Sequence, residues 1–519
     1  MRSSRLSKND RSLWMSVEMP PTDFLNEDLR VDVCVIGSGI AGLTTAYRLL
    51  EEGLSVAVVE SKGLASGVTP LTTAHLSHVM DCGLVRLERS HGTQRAQLAV
   101  QSHTAAIDWI EDTVTKECIT CDFERIDGYL FASTEADVSK IDEEWEAVQR
   151  IGQTNVTQND SISPLPFMAK SYLRFTRQAQ FHPIKYLYGL VNAIQRMGGR
   201  LYSGTHVVEV NDRPSITVKT LDGRNISPQF LVVTTNSPIT NLVTLHTKQA
   251  AYMTYAIAAK IPVGSVHKAL YWDTDDPYHY VRIHSDTVAG QEQELLIVGG
   301  EDHKTGQAHD GERRYTALET WMRERFPMAK EVLFNWAGQV MESVDGLAYI
   351  GRNPGDSPNV YVATGDSGMG ITHGTIAGFI LPDLIMNRSS PWASLYDPSR
   401  QPLKAAATFL SESLNMAAQY GDWLTSGDVA SEADIPLDEG AVIRNGLSKI
   451  AAYRDPAGVL HRCSAVCPHL ACIVAWNPNQ KTWDCPCHGS RFDPFGKVMN
   501  GPATINLSQL SNHGRKTTS

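Results

Sequence analysis

The chain has 519 residues, more than one compact core usually holds, so about two to four domains are expected. Its formal net charge of −11 argues against nucleic acid or an anionic membrane as the main partner. No run approaches roughly 18 uninterrupted apolar residues, and the basic N-terminus lacks an apolar signal segment. We therefore expect no transmembrane segment, no secretion and a cytoplasmic enzyme.

A strand, a glycine pattern and a helix open the predicted folded part of the chain. Residues 31–36 form a short apolar strand that runs directly into Gly37-x-Gly39-x-x-Gly42. Gly37 allows a tight turn, Gly39 lets a pyrophosphate approach the backbone, and Gly42 lets the following helix close on the sheet. The start of that helix supplies free N–H groups and a positive dipole end for phosphates. This pattern predicts a dinucleotide site.

A second strand completes the unit. Residues 56–59 are apolar and end in Glu60, which lies 23 residues after Gly37, where an acid can accept hydrogen bonds from ribose hydroxyls. The glycine pattern alone leaves NAD and FAD as alternatives. No second unit of this kind follows that would serve NAD(P)H.

Four further segments resemble the FAD-dependent oxidoreductases related to D-amino-acid and glycine oxidases. They are SGVTPLTTAHLS (66–77), GTHVVEV (204–210), QFLVVTTNSP (229–238) and NVYVATGDSGMGITHGT (359–375). The resemblance covers most of residues 30–400 and implies that the dinucleotide is FAD. It also implies an α/β (α+β) fold, in which a Rossmann-like FAD-binding domain carries an inserted substrate or cap domain.

The same resemblance implies which residues meet the flavin. Beyond Gly37, Gly39, Gly42 and Glu60, the expected contacts are Thr72, Thr73, Val208, Gly365, Gly368, Gly370 and Thr372. A helix that starts near Thr372 would point its positive end at the flavin edge where the reduced ring gathers negative charge. His75 lies near the position where some relatives attach FAD covalently, although a histidine that is only near the flavin is the simpler expectation.

Substrate is expected to bind over the flavin, between the dinucleotide half and an inserted cap near residues 80–200 and 240–335. Candidate cap residues are His182, Lys185, Tyr252, Tyr255, Trp336 and Gln339, each of which is more often structural than catalytic in such positions. Arg282 or Arg352 could clamp a substrate carboxylate, but an exposed surface arginine is the favoured interpretation of both.

The C-terminal part crowds five of the nine cysteines into 25 residues. Cys467-x-His469 is followed, after fifteen residues, by Cys485-x-x-His488. A Cys₂His₂ zinc site is one interpretation, but zinc fingers usually pair cysteine with cysteine and histidine with histidine. The mixed pairs suit two loops that hold one [2Fe–2S] cluster, with both thiolates on one iron and both imidazoles on the other.

This segment resembles the Rieske family, including its CPCHGS box. The resemblance implies that Cys467, His469, Cys485 and His488 are the cluster ligands and that Cys472 and Cys487 form a disulfide. It also implies that the Ser490 hydroxyl donates to a cluster sulfur. The family's glycine and tyrosine are replaced by Ala471 and Phe492, and we expect an intermediate potential within the range of roughly −150 to +300 mV for Rieske centres.

The remaining cysteines give little indication of a redox or metal-binding role. Cys118-x-x-Cys121 could be a redox pair, but no thioredoxin-like context surrounds it, so two structural thiols are favoured. Cys34 lies in an apolar strand and is expected in the core.

The segment 401–424 predicts a helix with one apolar face formed by Leu403, Phe409, Leu410 and Leu414, and 425–440 is polar and aperiodic. After it come short strand-like runs separated by turns, which predict a small all-β domain. The predicted domains are an N-terminal extension (1–30), the FAD-dependent oxidoreductase domain (31–400), a helical linker (401–430) and the Rieske domain (431–519).

Together these features predict an FAD-dependent dehydrogenase. A small amine, amino-acid-like or hydroxy substrate would reduce FAD, and the cluster would pass electrons to an external acceptor. The alternative is a reductase or carrier without an organic substrate, in which an external donor supplies electrons to the cluster. A Rieske oxygenase is disfavoured, because it needs a separate iron domain for which the chain has no room.

Overall fold

The computed structural model describes residues 11–159, 165–167, 169–240, 245–288, 291–401 and 406–510. The described strands form four sheets. The helices are α1 (Ile40–Glu51), α2 (Leu84–His91), α3 (Thr93–Lys116), α4 (Val138–Ile151), α5 (Pro183–Arg196), α6 (Gly311–Arg325), α7 (Gly370–Ile385), α8 (Ala393–Tyr396) and α9 (Ala406–Gln419). None of these helices is both long enough and apolar enough to cross a bilayer.

The first sheet contains the predicted dinucleotide-binding strands. Its members are β1 (Leu29–Ile36), β2 (Val56–Val59), β7 (Arg200–Tyr202), β8 (Val207–Asn211), β9 (Thr217–Thr220), β10 (Asn225–Val233), β16 (Tyr349–Arg352) and β17 (Val360–Thr364). The order is β16-β17-β10-β1-β2-β7, with the β8–β9 hairpin beside β10. Strands β17, β10, β1, β2 and β7 run parallel.

Both faces of this sheet are covered, which is why β1 is an almost continuous apolar run. Val33 and Val35 belong to the larger core that also contains residues of α1, α5 and α7. Cys34 and Ile36 point to the opposite core, beside β9. The expectation that Cys34 is a core residue is therefore confirmed.

The second sheet forms the predicted insertion. Its members are β3 (His75–Leu76), β4 (Glu124–Phe131), β5 (Val156–Gln158), β6 (Tyr172–Gln180), β11 (Gln249–Ile261), β12 (Leu270–Asp273), β13 (His279–Val288), β14 (Gln291–Lys304) and β15 (Val332–Ser343). The order is β15-β11-β14-β13-β12-β4-β6-β3, with β5 beside β6. The long antiparallel strands β11 and β15 form one side of it.

Two small antiparallel sheets follow near the C-terminus. They contain β18 (Glu439–Asn445), β19 (Ser448–Arg454) and β20 (Leu460–Ser464), and then β21 (Ala475–Asn477), β22 (Thr482–Asp484), β23 (Arg491–Phe492) and β24 (Val498–Asn500). Trp476, Trp483 and Phe492 pack in the core of this part. The predicted α/β fold with an insertion and a small all-β part is confirmed, whereas the exact domain boundaries stay predictions.

The predicted linker helix is present as α9, but its apolar face is not buried where it can be described. Leu410 and Leu414 are 59% and 62% exposed. Leu403 lies outside the described residues, as does the Phe409 side chain. Instead, α9 attaches through polar contacts, because Glu412 accepts a 2.7 Å hydrogen bond from Lys304.

Candidate functional site

The glycine turn between β1 and α1 is shaped for close approach of a ligand. Gly37 has a φ of +106°, and a Cβ there would lie 2.7 Å from the Thr234 carbonyl oxygen. A Cβ on Gly42 would collide with the carbonyl oxygen of Gly37. Glu60 Oε2 accepts hydrogen bonds from the Ser38 N–H at 3.1 Å and the Ser38 hydroxyl at 2.9 Å, which ties the end of β2 to the turn.

One large cavity, of about 1010 Å³, begins at this turn. The predicted flavin-site residues that line it are Gly37, Gly39, Glu60, Thr72, Thr73, Gly365, Gly368 and Gly370, and His75 also lines it. Gly42 packs behind the turn, and Val208 follows the lining residue Val207. The cavity has room for a dinucleotide, and the first residues of α1 and α7 both open into it.

The loop after β17 also lines the predicted flavin site. Gly365 and Gly368 have φ values of +70° and +75°, which favour glycine. Helix α7 begins at Gly370, two residues earlier than predicted. The Thr372 side chain turns away from the cavity, and its hydroxyl lies 2.8 Å from His103 Nδ1. Only its backbone, in the first turn of α7, can therefore act on a bound flavin.

The Thr72 loop is held from behind by buried side chains. Trp14 Nε1 donates to the Thr72 carbonyl at 2.7 Å, and Trp336 Nε1 donates to the Leu71 carbonyl at 2.9 Å. Arg282 donates to the carbonyl oxygens of Thr73 and Ala74 at 3.3 and 2.7 Å. The preference for Arg282 as a surface residue was wrong: it is fully buried, and its guanidinium satisfies carbonyls of a loop that carries no regular structure.

Both nitrogens of His75 are also engaged at this loop. Nδ1 lies 3.0 Å from the Thr73 hydroxyl and Nε2 lies 3.2 Å from the Val281 carbonyl. His75 therefore connects the Thr73 loop to β13 in the wall of the cavity.

Carboxyl groups converge on one end of the cavity. The Tyr278 hydroxyl donates to Asp81 Oδ2 at 2.8 Å, and Asp302, Glu342 and Asp366 line the same cavity. Burial raises the pKa of Glu342 to about 8 and that of Asp81 to about 7. Burial also raises the pKa of Asp302 and Asp366 to about 6 each. Repulsion from neighbouring carboxylates adds to the raised pKa of Glu342, Asp81 and Asp302.

Aromatic rings and one cation complete this end. Tyr252 and Tyr280 line the cavity, as does Arg86, which is close enough to lower the pKa of Glu342. The other lining cations, Lys62 and Lys497, interact with Glu60 or with each other at the far end of the cavity. The carboxylates at this end thus outnumber the positive charges.

Most of the other candidate cap residues have structural roles. Tyr252 alone of the six lines the cavity. His182 caps α5 by accepting from the Lys185 N–H, and Lys185 pairs with Asp122 at 2.7 Å. Tyr255 lies 3.0 Å from His303 Nε2. Arg352 is exposed, as expected.

The four predicted cluster residues come together between two loops. The rings of His469 and His488 have centroids 4.9 Å apart, and Cys467 and Cys485 are both buried. Hydrogen bonds from the Cys485 thiol, the Ser490 hydroxyl and the backbone N–H of His469 lower the pKa of Cys467 to about 7. Both ring nitrogens of His469 are buried without a hydrogen-bond partner. Two buried thiols and two neighbouring imidazoles, of which that of His469 has no hydrogen-bond partner, fit a [2Fe–2S] cluster.

The residues around these loops also match expectation. Cys472 and Cys487 form a disulfide with Cα atoms 6.4 Å apart, which joins the two loops. Ser490 is fully buried and accepts from the Ala503 N–H at 3.0 Å, while its hydroxyl hydrogen faces the Cys467 sulfur. Cys118 and Cys121 form no disulfide, and Cys121 is buried, so the structural interpretation of this pair stands.

The cluster loops dock directly on strands that line the cavity. Gln339 of β15 donates to the Gly489 carbonyl at 2.8 Å, and a Cβ on Gly489 would collide with Ala251 of β11. Neighbouring residues on the same strands, Tyr252 and Gly338, face the cavity because side chains alternate along a strand. The strand pair β11–β15 therefore separates the cavity from the cluster loops.

Sequence analysis missed several residues of this site. Asp366 lies inside a segment that was singled out, but its carboxyl group was not considered. Asp81, Asp302, Glu342 and Tyr278 belong to four separate elements, so no local spacing connects them. His246, whose ring packs on His469, was missed for the same reason.

Comparison with known proteins agrees with this architecture. The family model described as FAD dependent oxidoreductase matches residues 32–384, and that of the Rieske [2Fe-2S] domain matches residues 426–511. The chain is 32% identical over 505 residues to YhfW of Bacillus subtilis (strain 168), named as a Rieske 2Fe-2S iron-sulfur protein. That similarity covers 95% of this chain and 96% of YhfW.

One further relative and one solved structure each match about three quarters of the chain. Gamma-glutamylputrescine oxidoreductase of Escherichia coli (strain K12) is 23% identical over 416 residues, which is 77% of this chain and 94% of that protein. Glycine oxidase from Geobacillus kaustophilus has the same fold, with a TM-score of 0.59 at 17% identity, covering 72% of this chain and 99% of that one. The protein binds FAD and a [2Fe–2S] cluster, and it belongs to the FAD-dependent oxidoreductase family, with a Rieske domain at residues 426–511.

Proposed function

We propose that the protein is an amine dehydrogenase, which oxidises a small cationic amine at FAD and delivers the electrons through the Rieske cluster to an external acceptor. In this proposal the residues named for FAD from the sequence hold the flavin, with Thr372 acting through its backbone. Cys467, His469, Cys485 and His488 hold the cluster. When bound, FAD would supply two-electron hydride-accepting chemistry beside the substrate carbon next to the nitrogen, and the cluster would supply one-electron transfer.

The acidic end of the cavity is the observation from which we infer the substrate class. Asp81, Asp302, Glu342 and Asp366 face it with Arg86 as the nearby cation. A substrate carboxylate placed there would be repelled, whereas an ammonium group would be attracted. The rings of Tyr252 and Tyr280 line the same space, and aromatic faces attract cations. An amine without a carboxylate next to its nitrogen is therefore favoured over an α-amino acid or a hydroxy acid.

The same carboxyl groups can accept the proton that the substrate amine must lose. An amine must lose its ammonium proton before the neighbouring carbon can be oxidised, and a carboxyl group with a pKa near neutrality is suited to accept it. Glu342 and Asp81, with pKa values of about 8 and 7, are the candidates. The hydrogen bond from Tyr278 orients Asp81 toward the cavity.

The electron route follows from the shared wall. Tyr252 faces the cavity from β11, and Ala251, the preceding residue, contacts Gly489 of the second cluster loop. Gln339 of β15 adds a direct hydrogen bond to the Gly489 carbonyl. Flavin and cluster would thus lie on opposite faces of one strand pair, which supports transfer within a single chain.

Anaerobic mixing tests this proposal. The holoprotein is mixed with 1,4-diaminobutane, butylamine, glycine or lactate, and flavin bleaching and the EPR signal of the reduced cluster are followed. We expect a cationic amine to bleach the flavin and the cluster signal to appear after it. If none of these compounds bleaches the flavin, while chemical reduction of the cluster does, the carrier alternative replaces the dehydrogenase.

A further inference from the structure

A third histidine packs on both proposed histidine ligands of the cluster. His246 lies just before β11, outside the C-terminal part, and it is 1% exposed. Its ring centroid is 4.8 Å from that of His469, with the planes at 69°, and 5.6 Å from that of His488, at 74°. Three imidazoles from two separate regions of the chain therefore meet at one buried point.

The ring nitrogens of this group are poorly satisfied among the described residues. Both ring nitrogens of His246 and both of His469 are buried and make no hydrogen bond of good geometry. The backbone carbonyl of Pro238 is the neighbour to which His246 can donate, which would leave its other nitrogen as an acceptor. Buried polar atoms nearly always have a hydrogen-bond partner. Two neighbouring rings whose nitrogens lack one therefore indicate a hydrogen bond that would form when the cluster is bound. Iron takes one nitrogen of His469, and the other nitrogen then carries the hydrogen.

A histidine that binds a metal almost always donates its second N–H to an outer acceptor, which fixes the ring and makes it a stronger ligand. This outer acceptor is usually a carboxylate or a backbone carbonyl. In the described structure, the aromatic contacts of His469 are with His246 and His488. Since His488 would itself be a ligand, His246 is the ring neighbour of His469 that can offer an acceptor nitrogen.

We propose that His246 is a positioning residue for the cluster, and that one of its ring nitrogens accepts the N–H of a ligand imidazole, of which His469 is the nearer. The contact would hold the His469 ring against the segment that precedes β11. It makes that imidazole a stronger donor to iron, so it lowers the reduction potential. This role does not depend on which substrate reduces the flavin.

Redox titration followed by EPR tests the role, using the intact holoprotein. His246→Phe keeps a ring but removes the acceptor, and we expect a higher cluster potential and altered g values. His246→Gln keeps an acceptor and should stay closer to the unmutated potential. Glu312→Ala is the matched control, because it removes a 3.0 Å hydrogen bond from Asn479 between the same two regions without touching the cluster loops. Its potential should be unchanged.

Two results would overturn the proposal. One is an unchanged potential and EPR spectrum in His246→Phe. The other is an equal shift in His246→Phe and His246→Gln, which would indicate packing and not a hydrogen bond.

A measurement on the unmutated protein keeps the proposal testable if His246→Phe does not fold. His246 can accept only one N–H, so pulsed EPR should resolve unequal couplings for the remote nitrogens of the two ligand imidazoles. Equal couplings would contradict the proposal.

Discussion

The Tyr278 hydroxyl donates a 2.8 Å hydrogen bond to Asp81 Oδ2, and this pair lies at the carboxyl-rich end of the flavin cavity. Asp81 precedes α2, whereas Tyr278 precedes β13, so the bond joins two distant parts of the chain. It holds a carboxyl group with a pKa of about 7 against the glycine loop before α7, where a Cβ on Gly368 would collide with it. The proposed substrate contacts and the predicted flavin contacts would thereby share the same elements.

Removing the charge of Glu342 should weaken amine recognition. Above the Glu342 pKa of about 8 the group is ionised. Loss of one partner of a buried charge pair costs about 2–5 kcal/mol, so in this pH range Glu342→Gln should lower kcat/KM for 1,4-diaminobutane by roughly 30-fold or more. Asp286→Asn, an exposed acid outside the cavity, is the control and should match the unmutated enzyme. Steady-state kinetics with an artificial acceptor measures the effect. Equal kcat/KM in both variants would remove Glu342 from the substrate site.

Amine affinity should rise with pH between about 6 and 8. The pKa values of Asp81 and Glu342 are raised to about 7 and 8, so both carboxyl groups are largely protonated at pH 6 and become ionised as pH increases. An alkylammonium stays charged until roughly pH 10. Attraction therefore grows through this window, and ligand titration at several pH values should show it. In Glu342→Gln the increase above pH 7 should be smaller, and a fall in affinity across the window would contradict this account.

Gly37→Ala should abolish stable FAD binding. Its φ of +106° disfavours any side chain, and the added Cβ would press on the Thr234 carbonyl at 2.7 Å. Gly53→Ala is a matched control, because Gly53 also has a positive φ, of +80°, but open space around it. We expect Gly53→Ala to lose about 1 kcal/mol of stability and keep its flavin. Flavin content after gel filtration separates the two, and full flavin in Gly37→Ala would show that the turn does not hold the dinucleotide.

The N-terminal extension should prove necessary for the flavin site. Trp14 is fully buried, donates to the Thr72 carbonyl, and packs edge-on against His182 and His284. Removing so large a buried side chain costs about 3–5 kcal/mol, so Trp14→Ala should lower the unfolding midpoint and weaken flavin retention. Phe24→Ala alters a 73% exposed ring in the same extension and should change neither. Parallel thermal unfolding and flavin-release measurements compare them.

Several features followed from sequence because their residues are close together in the chain. The turn from Gly37 to Gly42 forms as expected, since strand, glycines and helix are contiguous and each glycine has its own steric reason. The disulfide between Cys472 and Cys487 likewise joins two short loops that the family resemblance had already paired. Thr372 was expected as a flavin contact, but α7 begins two residues earlier, at Gly370, and the Thr372 hydroxyl lies 2.8 Å from His103 Nδ1.

The opening strand unit, the flavin glycines and the two cysteine–histidine pairs were thus determined by the sequence, because local spacing alone specifies backbone turns and ligand loops. The acidic end of the cavity, the buried role of Arg282 and the contact of His246 with His469 were decided only by the tertiary structure. Those groups come from segments separated by tens to hundreds of residues. Their charges and unpaired nitrogens can interact only after the folded sheets bring them within contact distance.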